Sequence, residues 1–129
     1  MDYQLHGFMI GKAILVDIGN KRACRIPVSN SDKTVVFAAV FFNKTMLRLF
    51  LYLLIHARHG NVSREELFEH VWEENNLSPS TQRLWQVINN LNKKLSTLGL
   101  PEDFILSAKG CGYFINYDDI TPLYYEVRE

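Results

Sequence analysis

The chain has 129 residues, of which 47% are hydrophobic and 12% aromatic, and these shares are typical of one packed domain rather than of a disordered protein. Its 14 Lys and Arg residues balance 14 Asp and Glu residues, so the formal net charge of +0 does not by itself indicate a nucleic-acid binder. Two cysteines, Cys24 and Cys111, have neither a zinc-site nor a redox spacing, and the apolar run at 46–55 is too short to span a bilayer.

The N-terminal part of the chain has the composition of a small antiparallel sheet. Four runs rich in β-branched and aromatic residues alternate with turn residues, and they lie at 8–10, 13–16, 23–28 and 35–39. We therefore predict four antiparallel strands within residues 4–40, with a scaffolding role. The opening residues lack the basic region of a signal peptide, so we expect a cytoplasmic protein.

Helical spacing of the apolar residues begins after this sheet. Asn43 and Thr45 are both good N-caps for a first helix, and we predict that Gly60 ends it. Ser63 and Glu66 have the spacing of a capping box at the start of a second helix, whose outward face is acidic. A proline after the second helix prevents its continuation, because it disfavours the helical conformation of the preceding residue.

The third predicted helix, from about residue 80 to residue 98, has two distinct faces. Its core-facing stripe is apolar and comprises Leu84, Ile88, Leu91 and Leu95. The opposite face and its flanks are rich in amides and cations and comprise Gln82, Arg83, Trp85, Gln86, Asn89, Asn90, Lys93 and Lys94. Asparagine and glutamine pair bidentately with adenine in the major groove, and lysine meets phosphate or guanine, so this face is suited to reading bases. The alternative is an ordinary solvated face, which is common in proteins that bind nothing.

A glycine-rich hairpin is predicted after the third helix, with strands at 104–107 and 113–116. It resembles the C-terminal hairpin, or wing, of the OmpR/PhoB-type winged-helix DNA-binding domain family, which carries a Thr-Val-Arg-Gly-x-Gly-Tyr run. Residues 107–109 stand in the Thr, Val and Arg places. Three residues match the run outright, namely Gly110, Gly112 and Tyr113.

The resemblance extends upstream of the hairpin. Residues 60–67 are similar to the family's second-helix signature, and residues 91–95 to its Leu-Arg-Lys-Lys-Leu run. The pattern at 84–88 is most similar to the ToxR-like and CadC-like members, which lack a receiver domain. We expect this chain to lack one as well, and residues 117–129 to form a tail or the start of a linker.

The resemblance implies an α+β fold, a winged helix-turn-helix with an N-terminal four-stranded antiparallel sheet, three helices and a C-terminal β-hairpin wing within residues 1–116. It implies a bacterial, sequence-specific regulator of transcription that binds double-stranded promoter DNA, either free on the nucleoid or as the cytoplasmic part of a membrane-anchored protein. The third helix would enter the major groove, and wing residues 107–113 would reach the minor groove or the backbone. The implied DNA-contacting residues are Gln82, Arg83, Gln86, Asn89, Asn90, Lys93, Lys94, Ser107 and Lys109, with Gly110 and Gly112 as the hinge of the wing.

Some residues depart from the family pattern. Asn89, Asn90 and Asn92 lie at or near places where the family usually has arginine or another basic residue. Fewer cations should weaken the salt-dependent part of the affinity, because each phosphate contact releases counterions. Trp85 stands at a place that is usually polar, and it either packs against the second helix or the wing, or makes a stacking or partner contact.

A protein-interaction module is the alternative function. Such a winged helix would pair with another regulator or with RNA polymerase and bind DNA weakly or not at all, and the acidic second helix and Trp85 would suit it. For a DNA-binding regulator, the resemblance implies that the loop at 73–80 contacts RNA polymerase, and a homodimer on DNA is a further expectation. We expect no small-molecule substrate, cofactor, metal site or enzymatic activity, since the four histidines lack a good metal spacing and no catalytic arrangement is suggested.

Overall fold

The computed structural model describes residues 2–26 and 38–128. The chain divides into two compact units, Met1–Phe41 with Asp119–Glu129, and Phe42–Asp118. In chain order, the strands and helices are β1 (Asp2–Ile10), β2 (Ile14–Asp17), β3 (Arg22–Arg25), β4 (Ala39–Phe41), α1 (Lys44–His56), α2 (Arg64–Leu67), α3 (Thr81–Thr97), β5 (Ile105–Ala108), β6 (Gly112–Ile115) and β7 (Ile120–Val127).

In the described residues, the first unit is an antiparallel sheet of five strands, in the order β4-β3-β2-β1-β7, where four were predicted. The fifth strand, β7, comes from the segment 117–129 that was expected to be a tail or the start of a linker. It pairs with β1 from Asp2↔Val127 to Ile10↔Ile120. Pro122 is compatible with this pairing because β7 lies at an edge of the sheet, where a missing N–H is tolerated.

The register of the sheet explains the alternating pattern in the sequence. Directly opposed residues share a face, and the pairs Phe8↔Val16, Ile10↔Ile14 and Val16↔Ala23 consist of buried side chains. Two predicted strands extend into residues 27–37, which lie outside the described residues. Within the described residues, β3 ends at Arg25 and β4 begins at Ala39.

The first helix of the second unit begins as predicted and ends earlier than predicted. The side chain of Asn43 caps α1 by accepting a hydrogen bond from the Met46 N–H at 2.9 Å. The helix ends at His56, so the prediction that Gly60 terminates it was wrong. The Ala57 carbonyl accepts a hydrogen bond from the Ile115 N–H in β6 at 3.0 Å, and this pairing with a strand replaces a glycine cap.

The second helix carries half of the expected capping box. Ser63 Oγ accepts a hydrogen bond from the Glu66 N–H at 3.0 Å. The carboxylate of Glu66 accepts a hydrogen bond from the hydroxyl of Tyr52 on α1, at 2.7 Å. Glu66 therefore joins α2 to α1 through its side chain. After Leu67 the chain continues as a π-helical turn and a 3₁₀ turn, and it leaves the helical path at Asn76, where φ is 59°.

The third helix, α3, agrees closely with its predicted bounds of about 80 to 98. Ser80 Oγ accepts a hydrogen bond from the Arg83 N–H at 3.0 Å, and Gly99 follows the helix with a φ of 97°. The predicted core stripe is buried in full and comprises Leu84, Ile88, Leu91 and Leu95. Among the described residues, no helix has the length and apolar character needed to cross a membrane.

The contact between Tyr52 and Glu66 predicts a stability change at high pH. Burial, together with the hydrogen bond and negative charge of Glu66, raises the pKa of Tyr52 from 10.0 to about 12. Between these two values the unfolded tyrosine has lost its proton while the folded one still holds it. We therefore expect the free energy of unfolding to fall as pH rises from about 10 to about 12, measured by urea titration at each pH.

The variant Tyr52→Phe should lose this part of the pH dependence, because it has no phenolic proton. Tyr124→Phe removes the hydroxyl of an exposed tyrosine and serves as the control, for which the decline should remain. A Tyr52→Phe profile that matches the unsubstituted chain across this range would contradict the assignment.

Candidate nucleic-acid interface

The exposed face of α3 presents most of the side chains that the sequence suggested. Five of them are exposed, namely Gln82, Arg83, Gln86, Asn90 and Lys93, and two are half-buried, namely Asn89 and Lys94. They lie opposite the buried stripe because the helix repeats every 3.6 residues. Helix geometry thus places the predicted amides and cations on one accessible surface.

The charged residues within α3 and the wing strands are all positive, and two glutamates from other segments, Glu65 and Glu102, lie beside them. Residues 81–97 include three cations, Arg83, Lys93 and Lys94, and no acidic residue, and residues 105–115 add only Lys109. The helical segment 64–75 has the opposite character, with five glutamates against one arginine. Within the neutral chain, α3 and the hairpin are therefore basic, and the second helical segment is acidic.

Arg83 has a second contact that fixes the start of α3. Its Nη1 donates a hydrogen bond to the carbonyl oxygen of Ser78 at 3.0 Å, while the side chain stays exposed. This bond links the first turn of α3 to the loop before it. One of the five guanidinium donors is occupied, and the rest of the group remains open to solvent.

The wing consists of β5, β6 and the turn at 109–111 between them. Ser107 and Lys109 are exposed on it. Gly110 and Gly112 have φ values of 73° and 104°, in the left-handed region that favours glycine. The Cys111 N–H closes the turn on the Ala108 carbonyl at 2.9 Å.

The wing is attached to the segment just before α2. Val62 and Tyr113 exchange two backbone hydrogen bonds of 2.8 Å each, which make an isolated antiparallel bridge. A Cβ at Gly112 would collide with the backbone carbonyl of Val62 and lie 2.7 Å from its carbon. Gly112 is therefore required for close approach to Val62 as well as for its backbone conformation.

Arg64 is a candidate that sequence reasoning missed. Together with Ser63 it lines a cavity of about 250 Å³ whose other wall includes the wing residues Ser107 and Gly110. The guanidinium is exposed and lies 3.9 Å from the carboxylate of Glu65, in a surface ion pair that is weak in water. In the sequence, Arg64 follows a helix cap, and no local signal places it beside the wing.

Asn92 has a role that differs from the one its place in the sequence suggested. Its Nδ2 donates to the Ile105 carbonyl and its Oδ1 accepts from the Ile105 N–H, both at 3.0 Å. The half-buried amide thus joins α3 to β5. It does not belong with Asn89 and Asn90 as a substitute for an exposed positive charge.

Trp85 is 61% exposed on α3. Of the two predicted alternatives, this exposure disfavours packing against the second helix or the wing and is compatible with a stacking or partner contact. The indole therefore adds a large apolar surface to a face that is otherwise made of amides, hydroxyls and cations.

One cluster of metal-ligand side chains occurs among the described residues, formed by Glu69, His70 and Glu74. Glu74 Oε1 lies 2.8 Å from His70 Nδ1, and Glu69 Oε2 lies 3.9 Å from His70 Nε2. The two carboxylates thus approach opposite ring nitrogens, which is the geometry of surface ion pairs. The ring of His70 also stacks on Tyr52, with 5.2 Å between ring centres.

Comparison with known proteins identifies a family. A family model described as "Transcriptional regulatory protein, C terminal" matches residues 40–115, which is more than half of the chain. No curated protein sequence matches the chain significantly.

Three solved structures with a similar fold are DNA-binding domains or C-terminal domains. The DNA-binding domain of E. coli CadC has a TM-score of 0.70 and 18% identity, and the match covers 95% of this chain and 100% of that one. The AdeR DNA-binding domain, solved in complex with an intercistronic region, has a TM-score of 0.60 and 17% identity over 82% and 96% of the two chains. The C-terminal domain of the nisin resistance regulator NsrR has a TM-score of 0.52 and 25% identity over 87% and 94%.

Gly112→Ala should destabilise the chain, because it forces a left-handed residue to carry a Cβ and drives that Cβ into the Val62 backbone. We expect a loss of at least about 2 kcal/mol in the free energy of unfolding, measured by urea titration. Gly60→Ala is the matched control, since nothing lies within 4 Å of its Cβ position and its φ is not positive. Equal stability of the two variants would show that the wing is not held against Val62.

Asn92→Ala should loosen the wing from α3. The loss of two partly buried hydrogen bonds is expected to cost about 2 kcal/mol of unfolding free energy, and the Ile105 amide should lose protection from hydrogen exchange. Asn90→Ala makes the same change at an exposed position of the same helix and should shift stability by less than about 0.5 kcal/mol. Unchanged protection of the Ile105 amide in Asn92→Ala would refute the role of the amide.

Proposed function

The chain belongs to the family of transcriptional regulatory protein C-terminal domains, which are winged-helix regulators of the OmpR/PhoB type, and on this premise we propose that it binds double-stranded promoter DNA with sequence preference. The regulatory family and the winged-helix fold agree with the sequence interpretation. The binding of DNA by this chain is what we propose. The observation that carries it is the composition of α3 and the wing, since residues 81–97 and 105–115 include four cations and no acidic residue.

In the proposed complex, α3 lies in the major groove. Its exposed amides Gln82, Gln86 and Asn90 are of a length and chemistry that pair with base edges, adenine above all. Lys93 and Lys94 contact phosphates, which position the helix without reading sequence. The solved AdeR domain, a protein of the same fold, was found in complex with an intercistronic region, and this supports DNA as the ligand.

The wing contacts the neighbouring minor groove or the backbone. Lys109 supplies its positive charge and Ser107 a hydroxyl donor for phosphate, and both are exposed on the hairpin. Arg64 lines the cavity beside the wing and adds a cation that can face the same backbone. The attachments at Val62 and Asn92 hold the wing in place before DNA arrives, which lowers the entropic cost of binding.

The small number of cations on the proposed interface also limits the affinity of one copy of the chain for DNA. The proposed phosphate contacts of cations number four, and they are made by Arg64, Lys93, Lys94 and Lys109. The electrostatic part of binding is therefore modest compared with regulators that make six to ten. A homodimer on adjacent half-sites, or a partner regulator, would double the contacts, and we propose such an assembly on DNA. The loop at 73–80 stays a predicted contact for RNA polymerase, and in it Leu77 is 39% exposed.

Binding to duplex DNA should weaken steeply with salt. Four phosphate contacts predict that log K falls against log salt with a slope of about −3 to −4 per copy. Lys109→Ala should reduce this slope by about 1, because one contact is lost.

Gln86→Ala should lower affinity for the preferred sequence by about tenfold and leave binding to random DNA unchanged, since it removes a base contact. The preferred duplexes are first recovered by selecting a library of random duplexes for binding to the chain. Their affinity, and that of random duplexes, is then measured by fluorescence anisotropy across a salt series.

Lys12→Ala serves as the matched control, because it removes an exposed lysine of the sheet unit and should keep the slope of the unsubstituted chain. If the chain and the variant carrying both Lys109→Ala and Gln86→Ala bind selected and random duplexes equally poorly at low salt, DNA binding is refuted. That result would favour the protein-interaction module.

A further inference from the structure

From the surface of α3, we infer that Trp85 reads the methyl group of thymine, and that the preferred duplexes of this chain are rich in A·T pairs contacted in the major groove. This inference rests on the proposed DNA binding and specifies which base pairs are recognised. It assigns the exposed indole a role in specificity.

The position of Trp85 on α3 places it beside the amides. Residues three and four apart on a helix are neighbours, so Trp85 adjoins Gln82 on one side and Asn89 on the other. Gln82 is exposed, Asn89 is half-buried, and 61% of Trp85 is exposed. The indole is therefore accessible on the flank of the same surface that carries the base-pairing amides.

The chemistry of the major groove offers one apolar group, the C5 methyl of thymine. An apolar side chain on a groove-reading helix has that methyl as its one chemically matched contact among the base edges. The neighbouring amides have their best bidentate partner in adenine, through its N6 and N7. Adenine and thymine occupy the same base pair, so the indole and the amides favour the same sequences.

Cations are few in the N-terminal half of α3, where Trp85 lies. Guanine is read mainly by arginine or lysine, and the two lysines of α3 lie in its C-terminal half, at 93 and 94. In the N-terminal half Arg83 is the one cation, and its exposed guanidinium has one donor bonded to the Ser78 carbonyl, beside two glutamines and the indole. The first turns of α3 therefore present chiefly amide and indole groups, a composition that favours A·T over G·C.

The experiment begins with selection from a library of duplexes with a randomised core, using the intact chain. The recovered duplex is then remade with deoxyuridine in place of thymidine, one position at a time, which removes the methyl and keeps the hydrogen-bonding groups. We expect enrichment of A·T pairs and at least one position where deoxyuridine weakens binding about fourfold, the effect of one buried methyl group. Trp85→Ala should bind the thymidine and deoxyuridine forms of that duplex equally.

Two further variants sharpen the result. Trp85→Leu keeps an apolar side chain and should retain part of the discrimination. Tyr124→Ala removes an aromatic side chain of matching exposure, 59%, from the sheet unit and should retain all of it. Thermal melting of each variant checks that the fold is intact, as expected for exposed positions.

The outcomes separate this inference from the proposed function. Binding with the expected salt dependence but with no position sensitive to deoxyuridine, or with G·C-rich selected duplexes, overturns the inference and leaves DNA binding standing. Discrimination that persists in Trp85→Ala overturns the role of Trp85. Failure to recover any duplex overturns DNA binding and this inference together.

Discussion

The geometry of the proposed interface depends on the attachment of the wing to α3, which is made by one side-chain amide. Asn92 forms both of its hydrogen bonds with the backbone of Ile105, and this pair of bonds joins the helix and the hairpin strand that carry the interface. An amide is well suited to the task, because it offers one donor and one acceptor in the spacing of a backbone partner. Ile105 is buried at the edge of a short strand, and its N–H and C=O need such partners because buried backbone groups without them are costly.

The other strand of the wing is fixed in a similar way. Tyr113 pairs with Val62, and the Ile115 N–H bonds to the carbonyl of Ala57 at the end of α1. Each attachment uses backbone groups that a helix end or a loop would otherwise leave unsatisfied. The wing is therefore held by the same bonds that complete the termini of the helical segments, and only its turn and outward side chains are left for a ligand.

Local chemistry accounts for what could be predicted. Asn43, one of two candidate caps, and Ser63 cap the first two helices, because capping depends on one side chain and the next three residues. The apolar stripe of α3 and the glycines of the hairpin follow from periodicity and from backbone conformation. By the same logic, the period of the helix places Gln82, Gln86 and Asn90 on its exposed side.

The sequence by itself determined the family, the three helices with their caps, and a basic face within a neutral chain, since each is encoded in neighbouring residues or in their order. Only the tertiary structure decided the fifth strand and the early end of α1. It also decided that Glu66 accepts a hydrogen bond from Tyr52, and that Asn92 bonds to Ile105 while Asn90 is exposed. These features are contacts between residues distant along the chain. Their energies depend on which groups packing brings within hydrogen-bonding distance, and no local pattern of residue types contains that information.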